Sequence, residues 1–360
     1  MENNIINFEK EYEGVHYDYS QFTQKVAVLC REMLKAKKID FHLLESRTKE
    51  VKSFLDKINR PGKSYLYPIS EITDISGIRI ITYYQDAANE VAKLIEKEFL
   101  VDRDNSVFHT ASAAEFGYKS AHFVVKISPE RADLIEWQGF SKFTAEIQVR
   151  TVLQHAWAAI SHKLQYKREE DVPTALKRKL FRLSALFELA DDEFVSLRDA
   201  SGQITKEISD SVTRGERHLA IDYVSLGQLI DTSPVITKIC NYAAGVGFNF
   251  DCDYNESDEE NRDSLSDLIQ ISVIAGISTI EEFENKIEST LPWVNDYLFE
   301  QYNYDEGDWQ VTPQFICELV IIGACIEKIR LDDLFFVGFH NSIGERVYRV
   351  AASFDKNLKK

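Results

Sequence analysis

The sequence predicts a mixed α/β domain, one sheet flanked by helices, followed by a mainly helical second domain. Two observations carry this. Short β-branched and alternating segments recur between residues 72 and 151, with helical periodicity between them. From about Arg217 the pattern turns mainly helical around an acidic stretch.

Each element has its own signal. Residues 1–40 form an N-terminal helical segment, and the helical reading continues over 20–58 through Val26, Val28, Leu29 and Leu34, with a break near Lys38–Asp40. ITDISGIRIITYY (72–84) reads as a buried strand, and DAANEVAKLIEKEF (86–99) as a helix with Ala88, Val91, Leu94, Ile95 and Phe99 on one face. GYKSAHFVVKI (117–127) and KFTAEIQVRT (142–151) are two more strands, and VLQHAWAAISHKLQYK (152–167) is a helix. These elements make up a domain over 41–170. A long amphipathic helix follows over 171–216. Leu180, Phe187 and Phe194 recur every seven residues, as do Leu183, Ala190, Leu197 and Ile204. That stripe suits packing on its own domain or a helix–helix contact in a homo-oligomer. Residues 217–360 form the second domain. Within it Ser278 and Glu281 read as a capping pair, and 331–354 reads as two strands around a turn at Asn341–Gly344.

Composition narrows the function classes. The chain has 360 residues, 44% hydrophobic and 28% charged, the profile of a globular protein. No apolar run is long enough to span a bilayer, and the N-terminus lacks a signal-peptide pattern, so no membrane partner is expected. Five widely spaced cysteines without a C-x-x-C pair fit a reducing cytoplasm. The net charge of -17 is local: residues 251–310 carry 17 Asp+Glu against 2 Lys+Arg. The remainder is near neutral, which disfavours nonspecific nucleic-acid binding but leaves room for a local basic groove.

Several residue groups have chemistry to offer. In TAEIQVRT, Glu146, Gln148 and Arg150 share one strand face, and Ala145, Ile147 and Val149 the other. Tyr118, Ser120 and His122 alternate likewise against Lys119, Ala121 and Phe123. Two polar strand faces that converge make a pocket. In ESRTKEVKSFLDKINR, Arg47 and Lys49 lie two apart, as on the end of an extended segment, and Ser53 and Lys57 one helical turn apart. Three cations and a hydroxyl suit an anionic, phosphate-bearing ligand. Asp74 precedes a strand in which Arg79 sits as a buried cation needing a partner. Asp74 and Glu146, if they converge, have the oxygen donors that Mg²⁺ takes together with substrate phosphates. Other motifs fall away. Gly62–Ser64 has no glycine five residues ahead of Gly62, so it is a loop rather than a P-loop. His155 and His162 lie two helical turns, about 10.5 Å, apart, too far to chelate one metal.

Joined, these pieces resemble the synthetase domain of the RelA/SpoT family, the alarmone (p)ppGpp synthetases. The matching motifs are R-T-K-x-x-x-S-F-L-x-K (Arg47 to Lys57), D-I-S-G-I-R (Asp74 to Arg79), G-Y-K-S-A-H (Gly117 to His122), and E-I-Q-V-R-T with H-A-W and H-K-L-x-Y-K (Glu146 to Lys167). The resemblance covers roughly residues 20–200. It implies a nucleotidyltransferase-like mixed sheet flanked by helices. It also implies transfer of the β,γ-pyrophosphate of ATP to the ribose 3′-oxygen of GDP or GTP. Arg47, Lys49 and Lys57, with Ser53, would hold ATP, and Arg79 would neutralise phosphate charge. Asp74 would bind Mg²⁺, with Glu146 as second ligand or as base at the 3′-hydroxyl. Tyr118 would stack on the acceptor base, and Ser120, His122, Gln148 and Arg150 would position the acceptor.

Two departures qualify the resemblance. The chain has no His-Asp dipeptide, the signature of the hydrolase domain in the long family enzymes, so synthesis without hydrolysis is expected. The segment Asn105–Tyr118 contains no Lys or Arg where relatives carry basic residues for the acceptor's phosphates. That keeps two other readings open: a toxin-type relative acting on the tRNA 3′-CCA end or an adenosine nucleotide, and a sensor with a decayed site. The acidic part of 217–360 reads as a solvated loop or as a cover that restrains the basic pocket.

Overall fold

The computed structural model describes residues 2–107, 120–163, 174–250, 259–304 and 309–358. The chain divides into two compact units, Met1–Asp199 and Ala200–Lys360.

In the first unit, five strands form one sheet among the described residues: β1 (Leu43–Thr48), β2 (Ser76–Thr82), β3 (Phe99–Val107), β4 (Ala121–Ile127) and β5 (Ala145–Thr151). Their order is β1-β2-β5-β4-β3. β2 and β5 run parallel, and every other neighbouring pair is antiparallel. The helices are α1 (Glu2–Ala36), α2 (Val51–Ile58), α4 (Gln85–Glu98), α6 (Val152–Lys163) and α7 (Thr174–Thr213), with one-turn helices α3 (Pro68–Glu71) and α5 (Pro129–Ala132) in the connections.

One sheet face is mainly apolar. Leu44, Ile78, Ile80, Phe123, Val125, Ala145, Ile147 and Val149 are buried with α1 residues Phe22, Val26 and Leu34 and with Val91 and Ile95 of α4. Burial of each such side chain contributes about 1.5–3 kcal/mol. Hydroxyls also stitch α1 to the sheet: Thr23 donates to Ser76 (2.8 Å) and accepts from Thr48 (3.0 Å). A smaller cluster of Tyr12, Tyr19, Phe54, Ile72 and Ile75 fixes α2 and the turn before β2. Tyr12 stacks on Phe54 at 4.0 Å and donates its hydroxyl proton to the Lys49 carbonyl. α1 ends where Lys38 takes a left-handed conformation (φ 54°) and the Ile39 amide closes onto the Leu34 carbonyl.

The structure corrects several expectations. Residues 43–48, read as part of a helix, form β1, because Leu44 needs the pleat to reach the core. β3 had no clear strand signal: it is a polar edge strand with an irregular register against β4. Residues 331–354 form α14 (Leu331–Phe336) and most of α15 (Asn341–Leu358) rather than strands. Their buried positions Leu334, Val347, Val350 and Ala351 follow helical spacing. The capping pair is Thr279 with Glu282, one residue beyond Ser278 and Glu281. Arg79 is half-exposed rather than buried, with its side chain 38% accessible.

The second unit holds α8 (Tyr223–Thr232), α9 (Pro234–Val246), α10 (Glu259–Ile274), α11 (Ile280–Ser289), α12 (Val294–Asn303), α13 (Pro313–Ala324), α14 and α15, with a two-residue parallel pair, β6 (Asn249–Phe250) and β7 (Gln310–Val311). α13 is its axis: every residue from Ile316 to Ile322 is buried. The acidic stretch around 251–258 lies outside the described residues. On α7, Leu183, Phe194, Leu197 and Ile204 are exposed.

Asp191 of α7 is buried and accepts a hydrogen bond from Thr151 (2.8 Å), while its other oxygen has no partner. Burial, reinforced by Asp192, pushes its pKa up to about 7. A carboxyl raised in the fold gives stability below its unfolded pKa that is lost as pH rises through the folded one. Asp191→Asn should therefore flatten the decline in melting temperature between about pH 4 and pH 7, which thermal melts of both proteins at stepped pH will measure.

Candidate active site

Strand pairing places the polar side chains. Glu45 of β1 pairs with Arg79 of β2, and Arg79 with Gln148 of β5, which pairs with His122 of β4. One step along, Arg47 pairs with Gly77, Gly77 with Glu146, and Glu146 with Val124. Both rows share the face opposite the apolar core, because side chains alternate along a strand. Gly77 puts no side chain between Arg47 and Glu146. There the sheet floors a cavity of about 370 Å³ lined by Glu45, Arg47, Asp74, Arg79, Glu146 and Gln148, among others.

Asp74 enters from the turn before β2. Its oxygens accept from Lys57 Nζ (2.8 Å) and Lys49 Nζ (3.1 Å). Burial favours its protonated form, but the Lys57 hydrogen bond and the charges of Lys49 and Lys57 outweigh it, and its pKa falls below the usual carboxylate range. Glu146 behaves alike. Burial raises its pKa, yet hydrogen bonds from His122 (2.7 Å) and Gln148 (3.1 Å) bring it below the usual range. An ionised carboxylate only accepts, so His122 Nδ1 carries the proton and Nε2 faces the Ser120 hydroxyl at 2.9 Å. Arg150 donates to Gln148. Burial and the neighbouring Arg79 lower the Arg150 pKa to about 10, so it keeps its charge at neutral pH. Arg79 donates to Glu45 at 3.0 Å.

The structure thus gathers Arg47, Asp74, Arg79, Glu146 and Gln148 around one cavity, with Lys49, Lys57, Ser120, His122 and Arg150 bonded behind them. Ser53 is exposed in the first turn of α2 and does not line it. Tyr118 lies outside the described residues. Glu45 and Gly77 escaped the sequence reading. Glu45 alternates with Arg47, a signal hidden while the segment read as helical. His155 is half-buried on α6, and Trp157 packs on Phe187 of α7 at 5.8 Å, behind the site. The side chain of His162 lies outside the described residues.

Asp74 and Glu146 suit a divalent ion as a pair. Both are ionised and both face the cavity, whose floor Gly77 leaves free of a side chain. Among the described residues no third His, Cys, Asp or Glu joins them as a ready-made cage. Two carboxylates are as many protein ligands as Mg²⁺ commonly takes, with its remaining positions left for water and phosphate.

Residues 46–171 match the family model described as the region found in RelA / SpoT proteins. The GTP pyrophosphokinase YjbM of Bacillus subtilis (strain 168) is 32% identical over 156 residues, which is 42% of this chain and 69% of that protein. The chain belongs to the RelA/SpoT family. A second B. subtilis relative, the GTP pyrophosphokinase YwaC, is 28% identical over 158 residues, 43% of this chain and 72% of its own. Among solved structures, small alarmone synthetase 1 from B. subtilis aligns over 54% of this chain and 98% of its own at 26% identity, TM-score 0.44. A GTP pyrophosphokinase family protein from Streptococcus pneumoniae aligns over 54% and 96% at 26% identity, TM-score 0.43. The RelA/SpoT match lies within the first unit, and the family motifs Arg47–Lys57, Asp74–Arg79 and Glu146–Arg150 line or back the cavity. No helix among the described residues is long and apolar enough to cross a membrane.

The open floor at Gly77 is testable. A Cβ at this position would meet only the Arg47 carbonyl, at 3.5 Å, so a side chain is tolerated by the fold but projects into the cavity. Gly77→Leu should keep a cooperative melt and lose binding of tripolyphosphate by about tenfold or more in calorimetry.

Proposed function

We propose that this RelA/SpoT chain is a Mg²⁺-dependent GTP diphosphokinase. It transfers pyrophosphate from ATP to the 3′-hydroxyl of GDP or GTP and makes (p)ppGpp. The observation that carries the reading is the convergence of ionised Asp74 and Glu146 on one cavity walled by Arg47 and Arg79. The relatives YjbM and YwaC, both GTP pyrophosphokinases, support it.

In this reading the acceptor's 3′-oxygen bonds to the β-phosphorus of ATP, and the bond from that phosphorus to the α-phosphate oxygen breaks, releasing AMP. Such transfers depend chiefly on positioning and on neutralising phosphate charge. Arg47 and Arg79 face the cavity and hold phosphate oxygens. Lys49 and Lys57 stand one hydrogen bond away and turn from Asp74 to the phosphates. Asp74 and Glu146 would hold Mg²⁺, which when bound draws charge from the transferring phosphates. Glu146 also accepts the 3′-hydroxyl proton: His122 and Gln148 fix its orientation and keep it ionised. Ser120 sets His122, and Arg150 sets Gln148, so the acceptor side is held by a chain of bonds across β4 and β5.

Full-length protein with γ-labelled ATP, offered GDP, GTP, ATP or tRNA singly, will identify the acceptor. Label in a guanosine nucleotide is expected. Label only in tRNA or an adenosine nucleotide replaces the acceptor, and no transfer to any of the four sinks the enzyme reading. Glu146→Gln and Asp74→Asn should each cut transfer by about 10²-fold or more while leaving the circular dichroism spectrum unchanged. Substantial activity in either variant breaks the assignment of these carboxylates.

A further inference from the structure

The second unit has its own cavity, of about 600 Å³, formed where α10, β7, α13 and the turn before α15 meet. Its walls include Trp309, Phe315 and Phe339, whose rings follow one another at 6.0 and 5.9 Å. Its ionisable side chains are Asp267, Glu318 and His340, and among the described residues no Lys or Arg lines it.

Glu318 is the feature that asks for an explanation. It lies in the middle of α13, among Ile316, Cys317, Leu319 and Val320, and is 3% exposed. Its Oε1 is buried without a hydrogen-bond partner. Burial, with Asp267 nearby, raises its pKa well above the ordinary carboxylate value. Buried carboxyls normally sit with a cation or a full set of donors, because desolvation is otherwise uncompensated. Asp267 is admitted to the same place by Gly338. The φ of Gly338 is +94°, and a Cβ there would meet Asp267 Oδ2 at 3.3 Å. The aromatic wall already accepts one planar cation, since the Arg346 guanidinium lies over the Trp309 ring at 3.9 Å from a position that does not line the cavity.

We propose that this cavity binds a small organic cation, an amidinium or guanidinium on an apolar body, with Glu318 as its anionic anchor and Trp309, Phe315 and Phe339 as its walls. The cation supplies the donors that Oε1 lacks and a charge partner that keeps Glu318 ionised. The rings take up the apolar body and the delocalised charge. A divalent metal fits less well. The aromatic walls offer a hard cation no oxygen ligand. The site lies wholly within the second unit and stands independently of the transferase reading.

Benzamidine is a suitable probe, with benzamide as its neutral counterpart of the same shape. Titration of the full chain, followed by calorimetry and tryptophan fluorescence, should show saturable one-to-one binding of benzamidinium, with benzamide about tenfold weaker or more. Glu318→Gln keeps the side-chain volume and should remove that preference. Absence of saturable binding, equal affinity for the two probes, or wild-type benzamidinium affinity in a folded Glu318→Gln protein overturns the proposal. Competitive displacement of the probe by MgCl₂ also overturns it and assigns the cavity to a metal. The comparison of the two probes on the wild-type chain decides the matter alone if the variant does not fold.

Discussion

The parallel register of β2 against β5 is the constraint on which the first unit depends. Gly77 beside Glu146 and Arg79 beside Gln148 put the floor, the carboxylate and the cation of the cavity in adjacent rows. The same register sends Ile78 and Ile80, with Ile147 and Val149, into the core. A slip of one residue would exchange the two faces, burying charge and exposing isoleucine. Hydrophobic burial thus enforces the arrangement of the polar face, and neither can be altered without the other.

Each carboxylate of the site has a donor facing it. Asp74 sits between two ammonium groups, Glu45 faces Arg79, and Glu146 faces His122. Lys49 and Lys57 are mostly buried, so their ammonium groups are held against Asp74 rather than spread into solvent.

Much of this was legible in the sequence where one physical rule dominated. Alternation alone gave β5 its two faces and pointed to Glu146, Gln148 and Arg150. It also put His122 with Ser120. It failed where rules competed. Glu45–Thr48 alternates the helix formers Glu45 and Arg47 with Ser46 and Thr48, and Leu44 and the neighbouring strand draw the segment into the sheet. β3 is an edge strand whose polar residues carry no periodic signal. In 331–354, Val, Phe and Tyr favour strands, but the burial of Val347, Val350 and Ala351 is satisfied only on a helix face. Ser278 with Glu281 and Thr279 with Glu282 have the same spacing, and which pair caps the helix depends on where Ile280 reaches the core. Asp191 has no local signal, because its contact with Thr151 spans forty residues.

Glu318 also bears on how the second unit can evolve. A lone carboxyl inside an apolar helix weakens the domain that carries it, and an apolar residue of similar size would strengthen that domain. With Glu318 among the isoleucines and valines of α13, the axis of this unit gives up some robustness for a polar group in its interior.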